Sequence, residues 1–276
     1  MLRDPPCAAP SRRRRCALLG ACALLVAVTL VAALLAATIR GATPLRTAVV
    51  GRCRERTAGA SPDYCEDAWN AFAAAFVGKD PCNVPPESYD RLMEAAFQKR
   101  PCNTTLFWSK TKSLAHAFTE KKRCLLTLED TLLGYMLDGL TWCGQNGSNG
   151  IFTECPCWSC CPDNPVRSFW IRASAAFAAG ACGDAYAFMN GSISSPFSSE
   201  SIFASTEVKN FNYSALNSLT IVLVTRDSST DACDGASMKS LQRALDPALK
   251  YSCRNVPQAR VESCISQPDV TCSNCW

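Results

Sequence analysis

The sequence predicts an α+β protein, with a mostly helical first part packed on a smaller α/β part that carries a short parallel sheet, the whole stapled by disulfides. Three observations carry this. Helical periodicity dominates up to about residue 181. Beyond Cys182 it gives way to short, near-continuous apolar runs rich in β-branched residues, as buried parallel strands require. The 276 residues also include nineteen cysteines, a usage that belongs to an oxidising compartment.

In the first part, Ser61-Pro62 reads as a cap and first-turn pair, and Trp69, Phe72, Ala73 and Phe76 recur at helical spacing until Gly78 stops them. A second helix is expected over Pro86–Gln98, with Tyr89, Leu92, Met93, Ala96 and Phe97 as its apolar stripe. A third starts with Thr127 as cap and Asp130 three residues on, a variant capping box, and continues through Leu132, Leu133 and Met136. In the second part, Ala185–Met189 and Leu219–Val224 read as strands. A helix bearing Leu241, Leu245 and Leu249 leads to a further strand at Leu249–Cys253, an order that predicts βαβ units.

Residues 1–46 hold seven arginines and one acid, so the remaining chain is slightly acidic despite the overall charge of +4. That removes the cationic footprint a nucleic-acid-binding domain needs. The stretch from Cys16 to Ile39 carries no charge and is long enough, as a helix, to cross roughly 30 Å of hydrocarbon. Arg12 to Arg15 stand just before it, which keeps that flank in the cytoplasm. The expected organisation is a cytoplasmic tail (1–15), a transmembrane signal anchor (16–39), a stalk (40–50) and an ectodomain (51–276). Within the ectodomain, 51–181 is helical and 182–276 is α/β, with a contribution from 102–126. A cleaved signal peptide competes, but its apolar core is usually shorter. Sequons at Asn103, Asn146, Asn190 and Asn212 are expected glycosylation sites and agree with export.

Few residues are suited to chemistry. His116 is the single histidine, set among Leu114, Ala115, Ala117 and Phe118, and reads as a core or half-buried histidine with a backbone partner. No multi-histidine metal site can exist. The cluster Cys155, Cys157, Cys160 and Cys161 reads as disulfides rather than zinc, so no metal is expected. Carboxylates and tryptophans remain. Glu129 and Asp138 are nine residues apart, half a turn out of phase on a regular helix. They can share a cavity only if Glu129 lies in the cap region or the helix distorts near Gly134. Trp108, Ser109 and Lys110 put an aromatic plate, a hydroxyl and a cation at a helix start, where phosphates are favoured.

These residues resemble a known family. Thr127-Leu128-Glu129-Asp130-Thr131-Leu132, with Leu133-Gly134-Tyr135 and Leu140-Thr141-Trp142-Cys143, is similar to the signature of the ADP-ribosyl cyclase / cyclic ADP-ribose hydrolase family. The likeness extends in order through Leu106-Phe107-Trp108-Ser109, Asn164-Pro165 with Phe169-Trp170, Met189-Asn190-Gly191-Ser192 and Ser205-Thr206-Glu207-Val208. It implies six disulfides: Cys53 with Cys65, Cys82 with Cys161, Cys102 with Cys182, Cys143 with Cys155, Cys233 with Cys253, and Cys264 with Cys272. Cys124, Cys157, Cys160 and Cys275 are additional.

The resemblance further implies a membrane-anchored NAD glycohydrolase that gives ADP-ribose, with minor cyclic ADP-ribose synthesis and hydrolysis. Glu207 would stabilise the ribosyl centre, electrostatically or covalently, and Trp108 and Trp170 would position the nicotinamide end. Glu129 and Asp138 would contact the nicotinamide amide, with Glu129 weighting hydrolysis, while Ser109, Lys110, Ser174 and Phe203 would surround the diphosphate and intermediate. Lys110 and Ile202 stand where the family has an arginine and a threonine, which bears on phosphate affinity. NAD is a substrate on this reading and no cofactor is expected. The expected partners are NAD and cyclic ADP-ribose, the membrane through residues 16–39, and no nucleic acid, with a homodimer left open. The expected location is the cell surface, as a single-pass type II protein with an extracellular catalytic domain. An adhesion or receptor ectodomain that keeps the fold without useful turnover is the alternative.

Overall fold

The computed structural model describes residues 45–61, 63–226, 232–267 and 269–276. The expected tail and anchor lie outside them. Among the described residues no helix is long and apolar enough to cross a membrane. Helix α1, Leu45–Arg56, occupies part of the stretch expected as stalk, and Val49, Val50 and Cys53 on it are buried.

Helix α2 spans Tyr64–Phe76 and buries Trp69, Phe72 and Phe76 as the periodicity requires. Ser61 does not cap it: Asp63 holds that position, and the Ser61 hydroxyl instead accepts the Asp63 amide. The second helix opens as a 3₁₀ turn over Pro86–Tyr89 and continues as α3, Asp90–Ala96. Phe97 lies past its end and is half exposed, so it drops out of the expected stripe. Phe72 and Phe169 meet Trp142 edge-on, and Tyr89 joins them. The Trp142 indole donates to Tyr89 Oη at 2.9 Å, and Tyr89 donates to the Pro165 carbonyl at 2.8 Å. The polar atoms of this aromatic core are thereby satisfied, which burial demands.

Four parallel strands form the sheet in the order β1 (Thr105–Ser109), β4 (Gly183–Asn190), β5 (Leu216–Thr225) and β6 (Lys250–Pro257). Strand β1 is reached only because residues near 105 cross back to pair with β4, in the register Phe107↔Ala187 and Trp108↔Phe188. In chain order between β1 and β4, β2 (Cys143–Gln145) and β3 (Ser148–Phe152) form a separate antiparallel hairpin. Helices α4 (Lys112–Lys122) and α8 (Gln258–Ser266) bring Phe118 and Val261 into a core shared with Phe188, Val222 and Trp276. On β5, Ile221 to Val224 are all buried, as expected for a strand covered on both faces. Helix α7 covers Ala236–Ala244 and carries Leu241, whereas Leu245 and Leu249 lie beyond its end, although both are buried.

All sixteen cysteines from Cys53 to Cys275 are paired. Five of the six implied pairs are present. The sixth is not: Cys264 bonds to Cys275, and Cys272 bonds to Cys124. The reason is the docking of α4 on α8. Lys122, at the end of α4, donates to the Gln267 and Val270 carbonyls at 2.7 and 2.6 Å, which draws Cys124 to Cys272. Cys264 and Cys275 are meanwhile buried together in the core. The remaining additional cysteines, Cys157 and Cys160, bond to each other.

Candidate active site

The third expected helix is two elements. A capping box of Thr127 and Asp130 closes a 3₁₀ turn over Leu128–Asp130. Thr131 then turns extended and caps a new helix, α5, Leu132–Leu137, accepting the Gly134 amide at 3.2 Å. Glu129 therefore sits before the helix and Asp138 caps its other end, which resolves the phase conflict between them. Gly134 allows this close packing, because a side chain there would overlap the Leu128 carbonyl and the Glu129 backbone. Arg52 secures the far end, donating to the Asp138 carbonyl at 2.7 Å and to that of Met136 at 3.3 Å.

Helix α6, Pro165–Ala179, starts with Asn164 as a side-chain cap and Pro165 at its first position. Trp170, Ser174 and Phe177 recur along it at intervals of four and three and so share one face. Phe203 and Glu207 come from a single π-helical turn, Phe203–Glu207, in which the Val208 amide reaches back to the Phe203 carbonyl. Such π turns are frequent at functional sites. Trp108 and Ser109 end strand β1. Lys110 follows in the left-handed conformation, with φ of 58°, which a non-glycine residue adopts only when its surroundings hold it there.

These segments enclose one cavity of about 590 Å³. Trp108, Ser109, Lys110, Glu129, Asp138, Trp170, Ser174, Phe203 and Glu207 all line it, nine candidates from five separate stretches of chain. It lies beyond the carboxyl end of β1, as ligand sites in open parallel sheets do. Trp108-Ser109-Lys110 thus form a strand-to-helix turn rather than the helix start itself, since α4 begins at Lys112.

The carboxylates differ in environment. Glu207 is only 7 % exposed. Burial pushes its carboxyl up to about 8. Ser174 opposes this by hydrogen bonding to the ionised form, and the negative charge of Glu129 adds to the rise. Glu129 is held below the usual carboxylate range: burial would raise it, but His116, Trp108 and its own backbone amide together outweigh that. Trp108 Nε1 donates to Glu129 Oε2 at 3.1 Å. His116 Nε2 lies 3.4 Å from the same oxygen, in ion-pair range though off the line of a hydrogen bond, and is raised chiefly by it. Asp138 pairs with Lys112 at 2.7 Å. Two acids of opposite tendency in one cavity are the usual mark of divided chemical roles.

His116 is half-buried as expected, but it faces Glu129 rather than a backbone group, and it meets the Trp108 ring edge-on. Sequence reasoning also missed Lys112, Trp158, Glu200 and Ser201, which line the cavity. A signal existed for His116: it lies four residues beyond Lys112, one helical turn along the same face of α4. None existed for Trp158, whose loop is placed by disulfides.

The profile of the ADP-ribosyl cyclase family matches residues 42–273. The chain belongs to that family. Among relatives of this cyclase family, the rat ADP-ribosyl cyclase/cyclic ADP-ribose hydrolase 1 is 36% identical over 231 residues, covering 80% of this chain and 76% of the rat protein. The human ADP-ribosyl cyclase/cyclic ADP-ribose hydrolase 2 is 32% identical, covering 76% and 69% respectively. Porcine CD38 solved with a covalent intermediate superposes with a TM-score of 0.72 at 38% identity, covering 78% of this chain and 97% of that one. Aplysia cyclase solved with substrate NGD and product cGDPR superposes at 0.71 with 27% identity, covering 85% and 97%. The cyclase-family fold, a parallel sheet beside a helical part stapled by disulfides, is the fold of this chain.

Proposed function

We propose that this chain is an NAD glycohydrolase and ADP-ribosyl cyclase that releases mainly ADP-ribose, forms cyclic ADP-ribose as a minor product and hydrolyses it. The observation that carries this is Glu207, buried in the same cavity as Trp108, Trp170 and Glu129. NAD brings a cationic pyridinium, and that charge favours ionisation of a carboxyl otherwise pushed up to about 8. Indole faces attract the same cation. When the bond between the ribose carbon and the ring nitrogen breaks, its electron pair stays on nicotinamide, which leaves neutral and needs no strong acid. Glu207 then faces an oxocarbenium-like carbon, which it stabilises as an anion or by bonding to it. Water adds a hydroxyl to that carbon and releases a proton, giving ADP-ribose. Attack by the substrate's own adenine gives the cyclic product. Glu129, ionised near the reacting end, favours the water path. Because NAD is consumed and no net oxidation occurs, no further cofactor is proposed.

The purified chain should consume NAD with both products detected by chromatography, and Glu207→Gln should consume none. An idle wild type would instead support the adhesion or receptor reading.

We further propose a type II membrane protein with its catalytic domain outside the cell. The uncharged stretch from Cys16 to Ile39, eight disulfides, and exposed asparagines at Asn103, Asn146 and Asn212, with Asn190 half-buried, support this reading and glycosylation of the four sequons. NAD loss on intact cells equal to that on permeabilised cells is the expected result. Activity appearing only after permeabilisation would reverse the topology.

A further inference from the structure

We propose that the Cys157–Cys160 disulfide is a thiol–disulfide exchange site whose state sets the position of Trp158 at the cavity; the second half of this rests on the NAD-cleaving reading. The pair closes the ring Cys157-Trp158-Ser159-Cys160, with a sequence separation of 3, against 11 for the next shortest disulfide. Among the described residues it is the one disulfide with both cysteines exposed; every other has at least one partner buried or half-buried. Exposure is what an attacking thiolate needs. A ring this small also restrains the unfolded chain least, so opening it costs the fold little.

The flanks of the ring are pinned independently. Cys143–Cys155 anchors one side and Cys82–Cys161 the other. Asn164, which caps α6, also donates through Nδ2 to the Pro156 carbonyl at 2.9 Å. Within the ring a single backbone bond runs from the Cys160 amide to the Cys157 carbonyl at 3.0 Å. Reduction therefore frees the tip and leaves the loop attached. The tip carries Trp158, which is 45 % exposed yet lines the substrate cavity. An indole tethered inside a closed four-residue ring has a restricted set of positions, and opening the ring removes that restriction.

The reactant is a low-molecular-weight thiol. Its thiolate attacks one sulfur of the pair, breaking the Cys157–Cys160 bond and forming a mixed disulfide while the other cysteine leaves as thiolate. A second thiol displaces the first as the oxidised disulfide. Two electrons and two protons pass to the protein, leaving two cysteine thiols.

The test is stepwise titration of the full chain with dithiothreitol, trapping with iodoacetamide, and peptide mapping by mass spectrometry. Cys157 and Cys160 should be alkylated before any other disulfide-bonded cysteine, with the far-UV circular dichroism unchanged. Earlier labelling of another pair, or loss of secondary structure at the same step, overturns the exchange site. At that step KM for NAD should rise roughly threefold to tenfold, the scale of one aromatic contact, with kcat moving less. The double variant Cys157→Ser, Cys160→Ser should show the raised KM without reductant and no further response to it. An unchanged KM with both thiols labelled overturns the link to Trp158. Labelling needs no turnover, so an untreated chain that never consumes NAD would sink the enzymatic reading while the labelling order still decides the exchange site.

Discussion

The Trp108 indole donates to Glu129 Oε2 at 3.1 Å, across a cavity wall built from a strand end and a 3₁₀ turn. One contact thus ties the orientation of an aromatic plate to the charge of an acid. Trp108→Phe keeps the plate and removes the donor. The expected outcome is a modest fall in NAD turnover and a raised cyclic fraction, because Glu129 loses one of the groups that hold it ionised. Glu129→Ala should raise the cyclic fraction further, by several-fold. Chromatographic product ratios at fixed NAD decide it, and ratios identical to wild type in both variants would remove Glu129 from product choice.

Glu207 gives a prediction on stability as well as rate. Its folded carboxyl is raised to about 8 from 4.5, so the native state holds a proton that the unfolded chain releases. Between those values stability falls as pH rises. Replacing it with Gln removes the buried charge. The variant should lose NAD cleavage by at least about a hundredfold yet be more stable by ~1–3 kcal/mol above pH 8, with the gap closing toward pH 4.5. Thermal melts across that range are the check, and a variant that melts lower at pH 8 would mean that the Glu207 carboxylate is well stabilised in the fold.

The same group sets a pH dependence of rate. Free enzyme needs the Glu207 carboxylate, so kcat/KM should climb with pH toward a limb near 8. The limb in kcat should lie lower, because bound NAD brings a positive charge. Initial rates at low and saturating NAD separate the two, and a kcat/KM that falls with pH over this window would exclude Glu207 as the required anion.

His116 slopes the same way with pH, but its charged form stabilises the fold where that of Glu207 destabilises it. Its folded value is raised, chiefly by Glu129, so the stability it contributes is complete below its ordinary value of 6.5 and is lost as pH rises through the higher folded one. The side chain is 29% exposed, so the effect is small, ~0.5–1 kcal/mol. His116→Gln should melt lower than wild type at pH 5.5 and equal to it at high pH.

Gly134→Ala tests the packing that aims Glu129. The added methyl overlaps the Leu128 carbonyl and the Glu129 backbone, which should cost about 1–3 kcal/mol and displace the acid. Urea melts and product ratios should both move; a stable variant with an unchanged ratio would show that the turn adapts.

The sequence by itself determined the helical stripes, the parallel strands after Cys182, the reading of its cysteines as disulfides and, through its motifs, the nine residues that converge. These are local or compositional properties: period, β-branching and residue type act over a few neighbours. Only the tertiary structure decided that Thr105–Ser109 is an edge strand paired with β4, that Glu129 lies in a turn before α5 while Asp138 ends it, that Cys264 takes Cys275 rather than Cys272, and that His116 meets Glu129. Each of these pairs groups far apart in the chain or breaks a helix whose capping signals alone do not say where it stops. Such choices follow from how α4 docks on α8 and how α5 packs on the Glu129 turn, and no local pattern records either contact.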